Sequence, residues 1–426
     1  MKQAMTQAPE KIGNLDALSL WFLGDPAQPK LVGDLQLMAV GKGVSLRYAP
    51  SWLSQGFALS EDLPLIDTEH LPRSKGVAAG AVDDARPDRW GERVIQFIDK
   101  PTRLSLMEYL YFAGDDRFGA LGVSTSAEHY APRRNGPLPR LQDAQTLSEV
   151  VAKISAKEPI TAIEQKMVTA GGSFGGAKPK ALIEIDGEQW VIKFFNGEPI
   201  DVPPIEHASM TLAAKAGIRV AQTQVLRLAA EHALLVKRYD RAGNQRIHCL
   251  SAGTVLHAEA IDGQAADLSY PALAQLLRRA GVTKGNLHSQ DMRELFRRMV
   301  FNILIDNTDD HEKNHALLAT EPTRHGRLRL APAYDVLPTN SGQGHQEFGV
   351  GADGHDSTLI NAMSQCAMFG LSPSEADNEI NRVVSVVNGW KAHFQSCGVS
   401  SADIDSLAER IDGEPLASQR REYPVA

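Results

Sequence analysis

Apolar and polar residues alternate through residues 31–37 and again through 44–48, with Gly41-Lys42-Gly43 between the two runs. A period of two broken by glycines predicts an antiparallel hairpin. Residues 18–66 as a whole read as short strands with turns. The period then lengthens. Pro87-Asp88-Arg89-Trp90-Gly91-Glu92 opens a predicted helix that runs through Phe97, residues 105–112 predict a second, and residues 114–119 a turn. Residues 146–157 predict another helix. Residues 181–185 and 189–195 predict two strands joined at Asp186-Gly187, a strong hairpin-turn pair. A helix follows over 205–216, ended by Gly217, and then a strand over 233–239. Beyond 265 the pattern is mostly helical. Within 291–307, Met292, Leu295, Phe296, Met299, Ile303 and Leu304 recur at three- and four-residue steps, the stripe of an amphipathic helix. Residues 372–413 predict helix with weaker periodicity.

Between these patterns lies a stretch with neither period. Residues 131–146 hold Pro132, Gly136, Pro137 and Pro139 beside Arg133, Arg134 and Asn135. Proline at that density disfavours helix and central strand, so the stretch reads as a linker after an N-terminal domain of residues 1–130. The length of 426 residues fits two or three domains. Lys plus Arg number 44 and Asp plus Glu 52, giving a net charge of −8. That excess of negative charge argues against sequence-independent binding to DNA or an anionic membrane. Three widely spaced cysteines (Cys249, Cys366, Cys397) exclude a disulfide scaffold and a cysteine-rich zinc module. Reduced thiols, a first segment without the apolar core of a signal peptide, and no membrane-length apolar run predict a cytoplasmic protein. Trp21, Trp52, Trp90 and Trp390 read as packing residues. The histidines His207, His257, His345 and His355 show no ligand spacing.

Candidate chemistry begins at Gly171-Gly172-Ser173-Phe174-Gly175-Gly176-Ala177-Lys178-Pro179-Lys180. Glycines let backbone N–H groups curl around an anion, and nearby lysines add positive charge. The turn is neither a Walker A loop, because Ala177 stands where lysine is required, nor G-x-G-x-x-G. Seventeen residues past Gly176, Lys193 sits inside the apolar run Trp190-Val191-Ile192-Lys193-Phe194-Phe195. A lysine there is costly unless its ammonium meets an anion, which suggests a phosphate-gripping role, with Glu206 on the next helix as its partner. The densest polar cluster spans 306–315. His311-Glu312-Lys313-Asn314-His315 matches H-E-x-x-H, but Lys313 between the two histidines and the helix-ending surroundings argue for coincidence. Asp309 and Asn314 have the spacing of a kinase catalytic loop, with the late Asp335 in place for a second metal-binding acid. The order glycine loop, strand lysine, helical glutamate, strand, D-x-x-x-x-N, late aspartate is the order of kinase parts. The late motif is not D-F-G, which excludes an ordinary eukaryotic-type kinase.

With those residues in hand the chain resembles the HipA family, the kinase toxins of bacterial type II toxin–antitoxin systems. The resemblance is carried by residues 175–180, 190–195, 236–241, 308–314 and 332–336, and by 31–66, 87–91 and 112–122 in the N-terminal part. It implies an α+β architecture: a two-lobed protein-kinase-like fold, with an N-lobe over 147–240 and a mostly helical C-lobe over 241–426, preceded by a small α+β domain. It implies a Mg-ATP-dependent serine/threonine protein kinase. Asp309 would be the catalytic base, Asn314 and Asp335 the Mg2+ ligands, and Lys193 a contact to the nucleotide phosphates. Ser173, Gly175, Gly176, Ala177 and Lys180 would cradle ATP. Lys237 and Tyr239 would hold adenine through their backbone, with Asp240 near the ribose. Ser173 falls where family members autophosphorylate, and a dianion in a loop built for ATP phosphate would repel the nucleotide. The implied partners are a HipB-like helix-turn-helix antitoxin, DNA only through that antitoxin, and a protein substrate such as an aminoacyl-tRNA synthetase or another translation factor. This chain departs from the commoner pattern at Lys178-Pro179-Lys180 and at Asp310, where glycine is more usual. Two other readings stay open: a small-molecule phosphotransferase of similar architecture, and a catalytically silent corepressor.

Overall fold

The alternating runs at 31–37 and 44–48 become the centre of a five-stranded antiparallel sheet. In the computed structural model, which describes residues 13–39, 43–133, 136–169, 178–195, 197–260, 264–320 and 327–423, its strands are β1 (Ala17–Phe22), β2 (Lys30–Leu37), β3 (Val44–Tyr48), β4 (Glu69–His70) and β5 (Leu121–Ser124), ordered β4-β3-β2-β1-β5. Leu20, Val32, Leu35, Val44 and Leu46 fill its core. Three helices accompany it: α1 (Pro50–Gln55), α2 (Arg89–Ile98) and α3 (Leu106–Phe112). A capping box starts α3, with Ser105 accepting from the Met107 N–H and Glu108 reaching back to the Ser105 N–H.

After the proline-rich stretch come α4 (Ala144–Ala156), α5 (Ala162–Thr169), β6 (Lys180–Ile185), β7 (Glu188–Lys193), α6 (Val202–Lys215), β8 (Thr223–Arg227) and β9 (His232–Lys237). The four strands form an antiparallel sheet ordered β6-β7-β9-β8. Its first hairpin turns on Asp186 and Gly187, both at positive φ (51° and 78°), the conformation a two-residue type I′ turn requires. The proline-rich stretch lies along the free edge of this sheet: the Glu184 N–H donates to Pro139 O at 2.7 Å. The N-terminal region and this lobe also share a core. Trp90 and Val94 of α2 pack with Leu147, Ile183, Trp190, Ile192 and Phe194.

The remaining chain holds the hairpin β10 (Arg241–Ala242) and β11 (Gln245–Arg246), then β12 (His248–Ser251), α7 (Ala252–Glu259), α8 (Tyr270–Ala280), α9 (Leu287–Leu304), β13 (Ala316–Ala319) and β14 (Leu328–Leu330). It ends in α10 (Leu359–Ser364), α11 (Pro373–Val387), α12 (Trp390–Ser396), α13 (Ser401–Ile411) and α14 (Glu414–Arg421). The stripe predicted in 291–307 is α9, whose Leu295, Phe296, Met299, Ile303 and Leu304 have no exposed surface. Each such side chain contributes on the order of 1.5–3 kcal/mol. The small sheet β12-β13-β14 is an addition to the helical pattern, and it fixes the segment between α9 and β13 where the 306–315 cluster lies. The result is a mixed α/β, two-lobed kinase-like fold preceded by the N-terminal sheet. Among the described residues no helix is long and apolar enough to cross a membrane.

Candidate active site

Lys193 ends β7, and α6 runs past it. Its Nζ donates to Glu206 Oε1 at 2.7 Å and to Asp335 Oδ1 at 2.7 Å. Glu206 is fully buried, whereas the Asp335 side chain is 43% exposed. Asp335 adopts a left-handed backbone (φ 58°), a conformation that aspartate tolerates better than most residues. Residues just before it are held from two sides: the Ala333 N–H donates to Arg219 O and the Ala331 N–H to Ala316 O. Lys180, the cross-strand partner of Lys193 on β6, is buried beside it.

The 306–315 cluster forms a loop between α9 and β13. Asn314 Nδ2 donates to Asp309 O at 3.2 Å, closing the D-x-x-x-x-N segment on itself. The Asp309 side chain faces solvent. Tyr334 Oη donates to Lys313 O at 2.6 Å, tying this loop to the Asp335 turn. The H-E-x-x-H reading is thereby settled. Residues Glu312–Asn314 form a single 3₁₀ turn, and His315 is buried with Nε2 3.0 Å from Asp310 Oδ2. The two imidazoles do not share a helical face, as a zinc pair of that spacing would.

Electrostatics separates the carboxylates. Burial alone would push Asp335 up, but the Lys193 and Lys180 ammoniums outweigh it and hold the group at about 2. Burial would likewise lower Lys193, yet Asp335 and Glu206 keep it raised and charged. Burial pushes Asp309 above its ordinary value, against His311 and helped by Asp335 and Glu347. One cleft therefore holds a strongly ionised acid and a more basic one, the division of labour expected of a ligand-holding group and a proton acceptor.

At residues 236–240, the stretch the resemblance makes the hinge, the structure departs from the expectation for Asp240. Asp240 is not free to meet a ribose. Its carboxylate is 1% exposed and accepts from Arg238 Nε (2.9 Å), Arg238 Nη2 (2.8 Å), Arg241 Nη1 (3.0 Å) and the Gly119 N–H (2.8 Å). Arg238 and Arg241 in turn donate to the Arg117 and Gly119 carbonyls of the N-terminal region. Gly119 has φ 73°, and a Cβ there would come within 3.1 Å of the Cys249 nitrogen, so the close approach needs glycine. The Lys237 N–H donates to Gln222 O at 2.8 Å and its ammonium pairs with Glu188, so a contact from its backbone to adenine falls to the carbonyl. Tyr239 is different. Its ring stacks on Tyr334 (centroids 5.4 Å, 26°), and its backbone N–H and C=O have no hydrogen bond among the described residues. Ser173, Gly175, Gly176 and Ala177 lie outside the described residues.

Asp88 was not visible as a site residue in the sequence, where it reads as a helix opener. It stands at the N-cap position of α2 in the N-terminal region, and one of its buried carboxylate oxygens has no partner among the described residues. Burial raises it to about 6 against the pull of Lys180 and Lys313. Next to it, Trp90 Nε1 donates to Lys180 O at 2.8 Å. The N-terminal region thus reaches the strand that follows the glycine-rich turn. Nothing in the spacing of residues 88 and 180 signals this contact.

Comparison with known proteins covers both halves of the chain. The HipA N-terminal domain family matches residues 27–124, and the HipA-like C-terminal domain family matches residues 172–390. The "Putative kinase Y4dM" of Sinorhizobium fredii is 28% identical over 253 residues, 56% of this chain and 56% of that protein. A "Putative kinase" of Haemophilus influenzae is 26% identical over 211 residues, 43% of this chain and 57% of that one. The chain thus spans little more than half the length of the curated relatives it matches. A solved complex of HipA, HipB and operator DNA from Shewanella oneidensis contains a chain that superposes with a TM-score of 0.66 at 18% identity, covering 95% of this chain and 97% of that one. With the C-terminal match alone spanning half the sequence, and the N-terminal sheet matched in its own right, this chain belongs to the HipA family.

Proposed function

We propose that this protein is a Mg-ATP-dependent serine/threonine protein kinase, the toxin of a HipA/HipB-like pair. The observation that carries the reading is the placement of Lys193 Nζ at 2.7 Å from both Glu206 and Asp335, beside a loop in which Asp309 and Asn314 stand five residues apart. Phosphoryl transfer needs positioning and charge neutralisation more than covalent chemistry. Lys193, anchored by buried Glu206, donates to nucleotide phosphate oxygens. Asp309 accepts the proton of the acceptor hydroxyl as that oxygen bonds to the γ-phosphorus and the bond from phosphorus to the bridging oxygen of ADP breaks.

The donor set fits a hard divalent cation. Asp335 has a second carboxylate oxygen without a hydrogen bond among the described residues, and Asn314 adds an amide carbonyl. One acid and one amide suit Mg2+, which completes its shell with substrate phosphates and water. The bound ion supplies charge neutralisation along the phosphates; Asn314 and Asp335 would hold it. Tyr239 offers its backbone to adenine. Ser173 is the proposed autophosphorylation site. A HipB-like antitoxin, seen with HipA in the Shewanella oneidensis complex, is the proposed partner, and DNA is reached through it, in keeping with the charge of −8. Labelling with γ-phosphate-labelled ATP, with and without Mg2+, tests the reading. Label on this chain or another protein supports it, label on a metabolite points to a small-molecule phosphotransferase, and no label points to a silent corepressor.

A further inference from the structure

The Asp309–Asn314 spacing is repeated one residue later by Asp310 and His315, which are also five apart. The second pair faces inward. Asp310 is 2% and His315 3% exposed, while Asp309 faces solvent. Asp310 Oδ2 accepts from His315 Nε2 at 3.0 Å and from the Tyr270 hydroxyl. Tyr270 Oη accepts from Asn302 Nδ2 at 3.0 Å, and Asn302 Oδ1 accepts from Asn307 Nδ2 at 3.1 Å. The rings of Tyr270, His315 and Phe348 pack together with centroids 5.0–5.2 Å apart. The neighbours of both loop residues are therefore bonded to each other and to α8 and α9.

We propose that Asp310, His315 and Tyr270 form a buried positioning network that fixes Asp309 and Asn314 relative to each other before any ligand binds. The proposal rests on the kinase reading for its effect on rate, but not for its effect on the loop. A carboxylate adjoining the base, bonded across the loop to the residue adjoining the amide ligand, leaves 309–314 little freedom. His315 Nδ1 has no partner among the described residues, so the network hangs on the Nε2 and Tyr270 bonds to Asp310, and removing one donor loosens it. The network also accounts for aspartate at 310: glycine there could make neither bond.

Tyr270→Phe keeps the ring packing and removes only the hydroxyl, so it is the cleanest variant. Amide hydrogen exchange and transfer kinetics are measured on the full-length wild type, Tyr270→Phe, His315→Leu and His315→Gln. The expected result for Tyr270→Phe is faster exchange confined to 308–315, with protection elsewhere unchanged. Turnover falls about 10- to 100-fold, as for a small misplacement of reacting groups, while KM for ATP stays within about twofold. His315→Gln, which retains an N–H donor, recovers much of the rate lost in His315→Leu. Unchanged exchange over 308–315 in Tyr270→Phe would overturn the proposal. So would a general rise in exchange with kcat and ATP affinity falling together, the mark of a merely structural role. If His315→Leu does not fold, Tyr270→Phe and His315→Gln decide. A wild type that transfers no phosphate would defeat the kinase reading instead, and the exchange measurement would still judge the network.

Discussion

Asp240 and Asp335 are both carboxylates that neighbouring cations hold below their ordinary range, yet they differ in what is left over. Asp240 is enclosed by four donors from Arg238, Arg241 and Gly119. Asp335 spends one oxygen on Lys193 and keeps much of its surface open. The first group joins the hinge to the N-terminal region, and every acceptor in it is used. The second has unused oxygen capacity, a left-handed backbone and a buried lysine already bearing positive charge. In this pair the saturated group holds parts of the chain together, and the exposed one with spare oxygen capacity has room for a ligand.

Substitutions can break this contrast. The largest effect is expected on the open side: Asp309→Asn should reduce phosphate transfer below detection, at least about 1,000-fold, by removing the proton acceptor. ATP binding, read by calorimetry, should persist, and retained transfer would sink the assignment of the base. Next comes the closed side. Asp240→Ala leaves Arg238 and Arg241 buried without their carboxylate and should cost about 3–5 kcal/mol of stability, read as a lowered midpoint in urea. Asp335→Ala, at a half-exposed site, should move the midpoint far less while transfer collapses. Equal stability losses at both positions would erase the distinction. Glu206→Gln should lower transfer about 10- to 100-fold, because Lys193 loses its charged anchor. Unchanged turnover and nucleotide affinity would remove Glu206 from the site.

The smallest effect concerns pH. Asp335 sits at about 2 against an ordinary 3.8. The stability this shift contributes is therefore fully present above pH ~4 and lost as pH falls through ~2. Acid titration of the wild type against Asp335→Asn should show the two stability curves converging in that window. A difference confined to higher pH would contradict the assignment.

The sequence made the open cluster more legible than the closed one. A lysine inside an apolar strand and a D-x-x-x-x-N spacing each carry a physical signature, and the chain order alone groups Lys193 with Glu206, Asp309, Asn314 and Asp335. The hinge joint has no such signature. Asp240 meets Gly119 across 121 positions, and no periodicity reports a contact at that range, so the resemblance placed it near a ribose where the fold supplies arginines. Asp310 and His315 were hidden for another reason: within a run of polar residues, nothing distinguishes those that turn inward. The apolar stripe of α9 and the Asp186-Gly187 hairpin were plain, because burial and turn chemistry act on neighbouring residues, although the helix ends at Leu304, three residues before the predicted 307. The β12-β13-β14 sheet was not, since its strands of three or four residues are too short for a period to show.

The central claim is that the open cluster transfers phosphate to protein. Incubating the purified full-length chain with γ-phosphate-labelled ATP, with and without Mg2+, tests it most directly. The account predicts Mg2+-dependent label on serine or threonine of a protein, this chain included, and none with Asp309→Asn. Absence of label from every protein, or label that persists in Asp309→Asn, would contradict it.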